Sequence, residues 1–213
     1  MCWSATADLV AGCGIAAVGV ACVARTRRAG DLPLAGLPLL LGAHQVVESL
    51  DWLSGGGTGP AAVAWAAMAL PLLAVWVPVA VLCAPPRVHR RLMIPLAAGL
   101  ATAATLSYNL ATHSVTADIR GHTVGYVIDL PQAELLVAGY LLATVGSLLL
   151  SGDRILVLLG VLVAVGAVVC WALWELEFVS TWCAFAAVCS VVMYGWVRGR
   201  SVSPGVPHAT AQR

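Results

Sequence analysis

The chain has 213 residues, 61% of them hydrophobic and 10% charged, with a formal net charge of +1. So much apolar surface excludes an ordinary water-soluble domain, and so small a charge excludes a basic face for nucleic acid. All eleven basic residues are arginine, so no lysine exists to form a retinal or pyridoxal Schiff base.

The apolar runs predict seven membrane-spanning helices at roughly 6–24, 32–53, 61–83, 92–112, 134–150, 155–174 and 179–197. Ten of the eleven arginines fall in alternate gaps between these runs. Arg25, Arg27 and Arg28 follow the first run and Arg87, Arg90 and Arg91 the third. Arg154 follows the fifth, and Arg198, Arg200 and Arg213 the seventh; Arg120 alone lies in a gap of the other parity. Because positive charge beside membrane spans collects on the cytoplasmic side, the pattern predicts an N-terminus outside and a C-terminus inside. The expected fold is an all-α membrane protein: a seven-transmembrane-helix bundle over residues 1–200, then a disordered cytoplasmic tail over 201–213.

The start lacks a basic n-region and its arginines come after the apolar run, which predicts a retained first helix rather than a cleaved signal. Removal of Met1 would expose an amine beside the Cys2 thiol, a pair suited to a soft metal or to nucleophilic attack; the plain alternative is an ordinary residue leading into a helix. Cys13, Cys22, Cys83 and Cys189 sit in apolar runs and are expected to pack as small hydrophobes.

The second helix holds His44, Glu48 and Asp51, which at helical spacing fall within about 60° of one another over about 10 Å of helix. Ionisable groups inside a span are costly and face a bundle interior or a wet cavity, so the three are candidate catalytic residues. Hydrogen bonding to neighbouring helices is the structural alternative. Trp52 is a candidate for substrate binding, or an interfacial anchor like Trp3. Pro38, Pro71 and Pro78 are expected to kink their helices and free carbonyls that a neighbour must satisfy. Residues 55–60, Gly-Gly-Gly-Thr-Gly-Pro, read as a flexible outer turn.

The fourth helix places Thr105, Asn109, Thr112 and His113 at spacings of three or four, with Tyr108 beside them; Asn109 and Tyr108 are candidate substrate contacts. After it, Val115, Ala117 and Ile119 alternate with polar residues, as do Val124, Tyr126 and Ile128 beyond Gly121-His122. Period-two alternation about a glycine turn predicts a β-hairpin within 113–131, between helices four and five and outside the membrane, lying as a lid or merely as a cover for helix ends. Helix six adds Trp171, Trp174 and Glu175, an acid among aromatic rings, a setting that favours a neutral carboxyl. Helix one adds Asp8, and helix seven Trp182 and Cys183.

The chain has no GxSxG, HExxH or phosphate-cradling glycine motif and no aspartate-rich DDxxD cluster. Two resemblances enter at this point. The opening Met-Cys-Trp-Ser-Ala, the His44-Gln45-x-x-Glu48 helix and the segment Phe178-Val179-Ser180-Thr181-Trp182-Cys183-Ala184 resemble a family of small bacterial integral membrane proteins that begin Met-Cys-Phe-Ser-Ala. That resemblance implies a multi-pass protein of the bacterial inner membrane and supplies no activity. More loosely, the size, the seven spans and the acid on helix two resemble the integral-membrane terpene cyclases of the drimentine and meroterpenoid types. Those enzymes protonate an epoxide or alkene with a carboxylic acid. The resemblance implies Glu48 as general acid and no cofactor or metal, with Asp51 and His44 tuning the acid. Their second acid, on the last helix, has no counterpart here, and Glu175 is the nearest substitute.

The expected function is therefore a protonation-initiated terpene cyclase. Its partners would be the bilayer and a lipophilic prenylated small molecule, with a homo-oligomer as a further option. The alternatives are a metal-dependent membrane hydrolase using His44, His113 and a carboxylate, and a non-enzymatic proton- or cation-coupled transporter or sensor.

Overall fold

The computed structural model describes residues 4–84, 90–173 and 178–202, with side chains described for all of these except 170–184 and 202. It is mostly helical. Helix α1 spans Ala5–Arg25, and Ser4 caps its start by accepting from the Ala7 N–H at 3.2 Å. A short α2, Leu32–Ala35, leads through Gly36 into α3, Leu37–Ser54. Helices α4, Pro60–Ala67, and α5, Leu73–Cys83, are joined by a π-helical turn, Met68–Leu72. Next come α6, Met93–Thr112, and the strands β1, Thr116–Arg120, and β2, Thr123–Val127. Helix α7, Ala133–Leu141, passes through a second π-helical turn into α8, Ser147–Leu149. Helices α9, Arg154–Leu173, and α10, Phe178–Val202, complete the described chain.

Among the described residues three helices are long and apolar enough to cross a membrane: Ala5–Arg25, Pro60–Cys83 and Arg90–Thr112. Burial is distributed as in a protein with an apolar solvent. Val10, Leu53, Ile94, Leu135, Val168 and Val191 are exposed, whereas Asp8, Glu48 and Asp51 are buried. In water so many exposed large aliphatic side chains would be a liability; in lipid they are the solvated face.

Small residues set the closest helix pair, α1 on α3. A Cβ added at Gly42 would lie 2.7 Å from the Ala16 nitrogen and 2.8 Å from the Gly12 oxygen, and one at Gly19 would lie 2.6 Å from the Leu39 nitrogen. Backbones this close require glycine at the contact. Pro38 differs from expectation: the helix breaks at Gly36, so Pro38 stands in the first turn of α3, where its missing N–H costs nothing. Pro71 lies within the π turn, and the Ala69 carbonyl of that turn accepts the Tyr140 hydroxyl at 2.7 Å.

One end of the molecule gathers the chain turns that carry arginine. The Arg200 Nε meets Asp31 Oδ2 at 3.2 Å, its Nη1 meets Asp153 Oδ2 at 3.4 Å, and its Nη2 donates to the Ala84 carbonyl at 3.0 Å. Asp153 also accepts from the Trp196 indole at 3.0 Å and caps α9 through Ile155 N–H at 2.9 Å. Helix α10 continues five residues past the expected 197, carrying Arg198 and Arg200 on an ordered last turn. Ser201 and Val202, expected to begin a disordered tail, belong to this helix, and residues 203–213 lie outside the described residues. Cys22 and Cys189 pack in the interior, but Cys13 and Cys83 are exposed, contrary to expectation.

Candidate functional site

At the opposite end α3 turns one face inward: His44, Gln45, Glu48, Ser49 and Asp51 are all buried, and Glu48 is 0% exposed. Helical spacing put His44, Glu48 and Asp51 on that face, and the glycine-lined contact with α1 encloses it.

Each of three buried acids here accepts a hydrogen bond from an aromatic donor. The Trp52 indole N–H donates to Asp8 Oδ2 at 2.8 Å, joining α3 to α1. The Trp65 indole of α4 donates to Glu48 Oε2 at 3.5 Å, and the Gln45 amide donates to the same oxygen at 3.2 Å. The Tyr126 hydroxyl of β2 donates to Asp51 Oδ2 at 2.9 Å. The rings also meet each other. Tyr126 stacks on Trp65 with centroids 3.5 Å apart and planes at 8°, and His44 lies 4.9 Å from Trp65 at 42°. An acid, an imidazole and two stacked rings thus share one largely buried neighbourhood.

The hairpin reaches this place through glycine. Gly55, Gly56 and Gly57 take φ of 77°, 76° and 90°, a conformation that residues with a Cβ rarely adopt. They end α3, with Gly56 N–H donating to the Asp51 carbonyl at 2.9 Å. Gly57 then exchanges two backbone bonds with Ala117 of β1, at 2.7 and 3.0 Å. The strands pair antiparallel with Ala117 opposite Tyr126. The alternation read from sequence is the one that buries Val115, Ala117 and Val124 against Ala62, Trp65 and Ala66.

The predicted site residues divide. His44, Glu48, Asp51 and Trp52 come together, and Asp8 joins them. Asn109 is buried, but its amide donates to the Thr105 carbonyl of its own helix at 2.8 Å. Tyr108 is 68% exposed and makes none of the contacts that hold the cluster. Thr105, Thr112 and His113 are exposed as well, so the polar stripe on α6 does not converge on Glu48. The side chains of Trp171, Trp182 and Cys183 lie outside the described ones, and Trp174, Glu175, Cys2 and Trp3 lie outside the described residues altogether. Gln45, Trp65 and Tyr126 were not anticipated as site members. One signal for Trp65 was available, since it is the only aromatic ring in the small-residue run 60–67. Among the described residues no three His, Cys, Asp or Glu side chains are arranged to hold a metal ion.

A family model matches residues 1–207, nearly the whole of this arrangement. The chain belongs to DUF6629, a family of unknown function. No curated protein and no solved structure matches it. The DUF6629 description names no activity, so a functional reading rests on the Glu48 neighbourhood itself.

Proposed function

We propose that this DUF6629 protein is a seven-span protein of a bacterial inner membrane, N-terminus outside and C-terminus inside, and that the Glu48 cluster is an acid–base site at its outer end. Two sets of contacts support that topology. Arg25, Asp31, Ala84, Asp153 and Arg200 belong to the ends that contact one another, as the alternating arginines require: Ser201 donates to the Arg25 carbonyl at 3.0 Å, and the rest meet at Arg200. Asp8, Asp51, Gly57 and Tyr126 belong to the other ends. An outer hairpin between the fourth and fifth spans then covers the site.

The reaction that this neighbourhood supports best is protonation-initiated cyclisation of a prenylated lipophilic substrate, the chemistry of the membrane terpene cyclases. The observation that carries it is Glu48 itself: fully buried, bonded to the Trp65 indole and the Gln45 amide, with the Tyr126 ring of the hairpin stacked on that same Trp65. In its acid form Glu48 transfers that proton to a terminal alkene. The π pair forms the new C–H bond and leaves a tertiary cation, which the next double bond attacks. Aromatic faces stabilise such cations by up to about 2 kcal/mol each when desolvated, and Trp65 and Tyr126 are at hand. A final C–H bond gives its proton to a carboxylate, for which Asp51, one helical turn along, is placed; the product is an isomer of the substrate. Substrate admission requires the hairpin to lift Tyr126 from Trp65, a lid motion of the ordinary kind. Glu175 keeps its sequence-based role as alternative acid or terminating base.

The test is turnover of a farnesylated aromatic substrate by membranes that contain the protein. Glu48→Gln, which keeps the shape and loses the proton, should abolish isomer formation; unchanged turnover removes Glu48 from the mechanism. A proton-coupled relay is the second reading. It is favoured by the crowding of the buried acids Asp8, Glu48 and Asp51 at one end of the bundle. Proton uptake into liposomes that disappears in Glu48→Ala would select it.

A further inference from the structure

The arginine end holds two adjoining concavities, one lined by apolar residues alone and one that includes charged side chains. One is an apolar groove of about 430 Å³ lined by Val23, Leu32, Pro33, Leu39, Leu40 and Trp76. Gly36 also lines it. The other is a small pocket of about 20 Å³ whose lining includes the charged residues Arg27, Arg28, Asp31 and Arg200 beside Trp196 and Ser201. The two meet along the chain: Asp31 lines the pocket and its neighbour Leu32 lines the groove.

We propose that these form a binding site for one anionic phospholipid of the phosphatidylglycerol type, an inference that rests on the membrane reading above but not on the acid–base chemistry. The groove is apolar along its length and roomy enough to take part of one acyl chain. Arg27 and Arg28 are exposed at the mouth of the pocket, where guanidinium groups meet a headgroup phosphate bidentately. The pocket is too small for a phosphate and the right size for one hydroxyl. Its wall supplies the matching acceptor: Asp31 Oδ1 is buried and has no hydrogen-bond partner among the described residues, while Oδ2 is held by Arg200. Three arginines against one aspartate leave the pocket lining at +2, which selects a net negative headgroup that still carries a hydroxyl donor. The inner leaflet is where such lipids meet basic loops.

The experiment uses the full chain purified in detergent, with native mass spectrometry after addition of equal amounts of dioleoyl-phosphatidylglycerol and dioleoyl-phosphatidylcholine. The wild type should retain the glycerol lipid about tenfold more than the choline lipid. Arg27→Gln/Arg28→Gln, both at exposed positions, should erase that preference. Leu32→Trp, which crowds the groove from a half-exposed site, should lower retention of the glycerol lipid. Excess inorganic phosphate should not displace it. Equal retention of the two lipids, a preference that survives the double substitution, unchanged retention in Leu32→Trp, or displacement by phosphate alone would each overturn the proposal. Release of the protein from membranes without detergent would instead overturn the membrane reading on which it rests.

Discussion

Tyr126 of the hairpin lies flat on Trp65 of α4, 3.5 Å between ring centroids, and spends its hydroxyl on Asp51 of α3. One side chain thus ties a strand of the hairpin to two helices, by two interactions that can be separated. Tyr126→Phe keeps the stack and loses the hydrogen bond, at a cost of about 1–3 kcal/mol for a bond to an acid. Tyr126→Ala loses about 1 kcal/mol more with the ring pair. Arg120, beside the turn of the same hairpin, is 43% exposed and offers a trypsin site. Cleavage there should quicken by at least about thirtyfold in Tyr126→Ala and by less in Tyr126→Phe, as a shift of this size in an opening equilibrium requires. Equal cleavage rates in all three proteins would mean that the hairpin is held elsewhere.

The second acid pair has a different weak point. Trp52 reaches Asp8 at 2.8 Å across the α1–α3 contact. Trp52→Phe preserves most of the apolar body and withdraws the N–H, so a buried carboxyl loses a donor, at about 1–3 kcal/mol. Asp8→Asn retains an acceptor oxygen and should cost less. Thermal unfolding in detergent should rank them wild type, Asp8→Asn, Trp52→Phe. The reverse order for the two variants would show that the indole matters there only as volume.

What could be read from sequence follows from how local each signal is. His44, Glu48 and Asp51 share a face because helical periodicity acts over a few residues, and the hairpin was legible because alternation does too. The donors to those acids were not, since Trp65 reaches Glu48 from 17 residues away and Tyr126 reaches Asp51 from 75. Nothing in the run around Trp65 marks it as a hydrogen-bond donor to a distant carboxyl rather than an interfacial ring. The stripe on α6 misled for the opposite reason: its spacing is helical, but Thr105 and Asn109 bond within their own helix, which periodicity cannot distinguish from pointing into a site. Arginine parity assigned Arg200 to an end, and only the fold reveals the two aspartates that it joins.

Close packing of α1 on α3 gives a contrast between two glycines. A methyl at Gly42 would press on the Ala16 backbone nitrogen at 2.7 Å, whereas Gly14 of α1 has nothing within 4 Å. Gly42→Ala must push the helices apart, at about 1–3 kcal/mol for overpacking, and disturb the Glu48 face along with them. Gly14→Ala should be neutral or stabilise by up to about 1 kcal/mol through helix propensity. Unfolding midpoints measured side by side decide it; a Gly42→Ala protein as stable as wild type would mean that the two backbones are not in contact.

The clasp at the arginine end predicts a coupling rather than a single loss. Arg200 spreads its donors over Asp31, Asp153 and the Ala84 carbonyl, and its guanidinium lies 4.7 Å over the Trp196 ring. A lysine offers one nitrogen and cannot serve partners on three separate turns, so Arg200→Lys should not restore the wild-type midpoint. Arg200→Gln leaves the buried Asp31 facing a neutral amide and should cost more than its lost contacts alone, about 2–4 kcal/mol. If that excess is the stranded charge of Asp31, neutralising it should recover part of the loss. Arg200→Gln/Asp31→Asn should therefore be more stable than the sum of the two single variants implies, with a coupling of at least about 1 kcal/mol. Strict additivity in that cycle would show that Asp31 and Arg200 are neighbours without being partners.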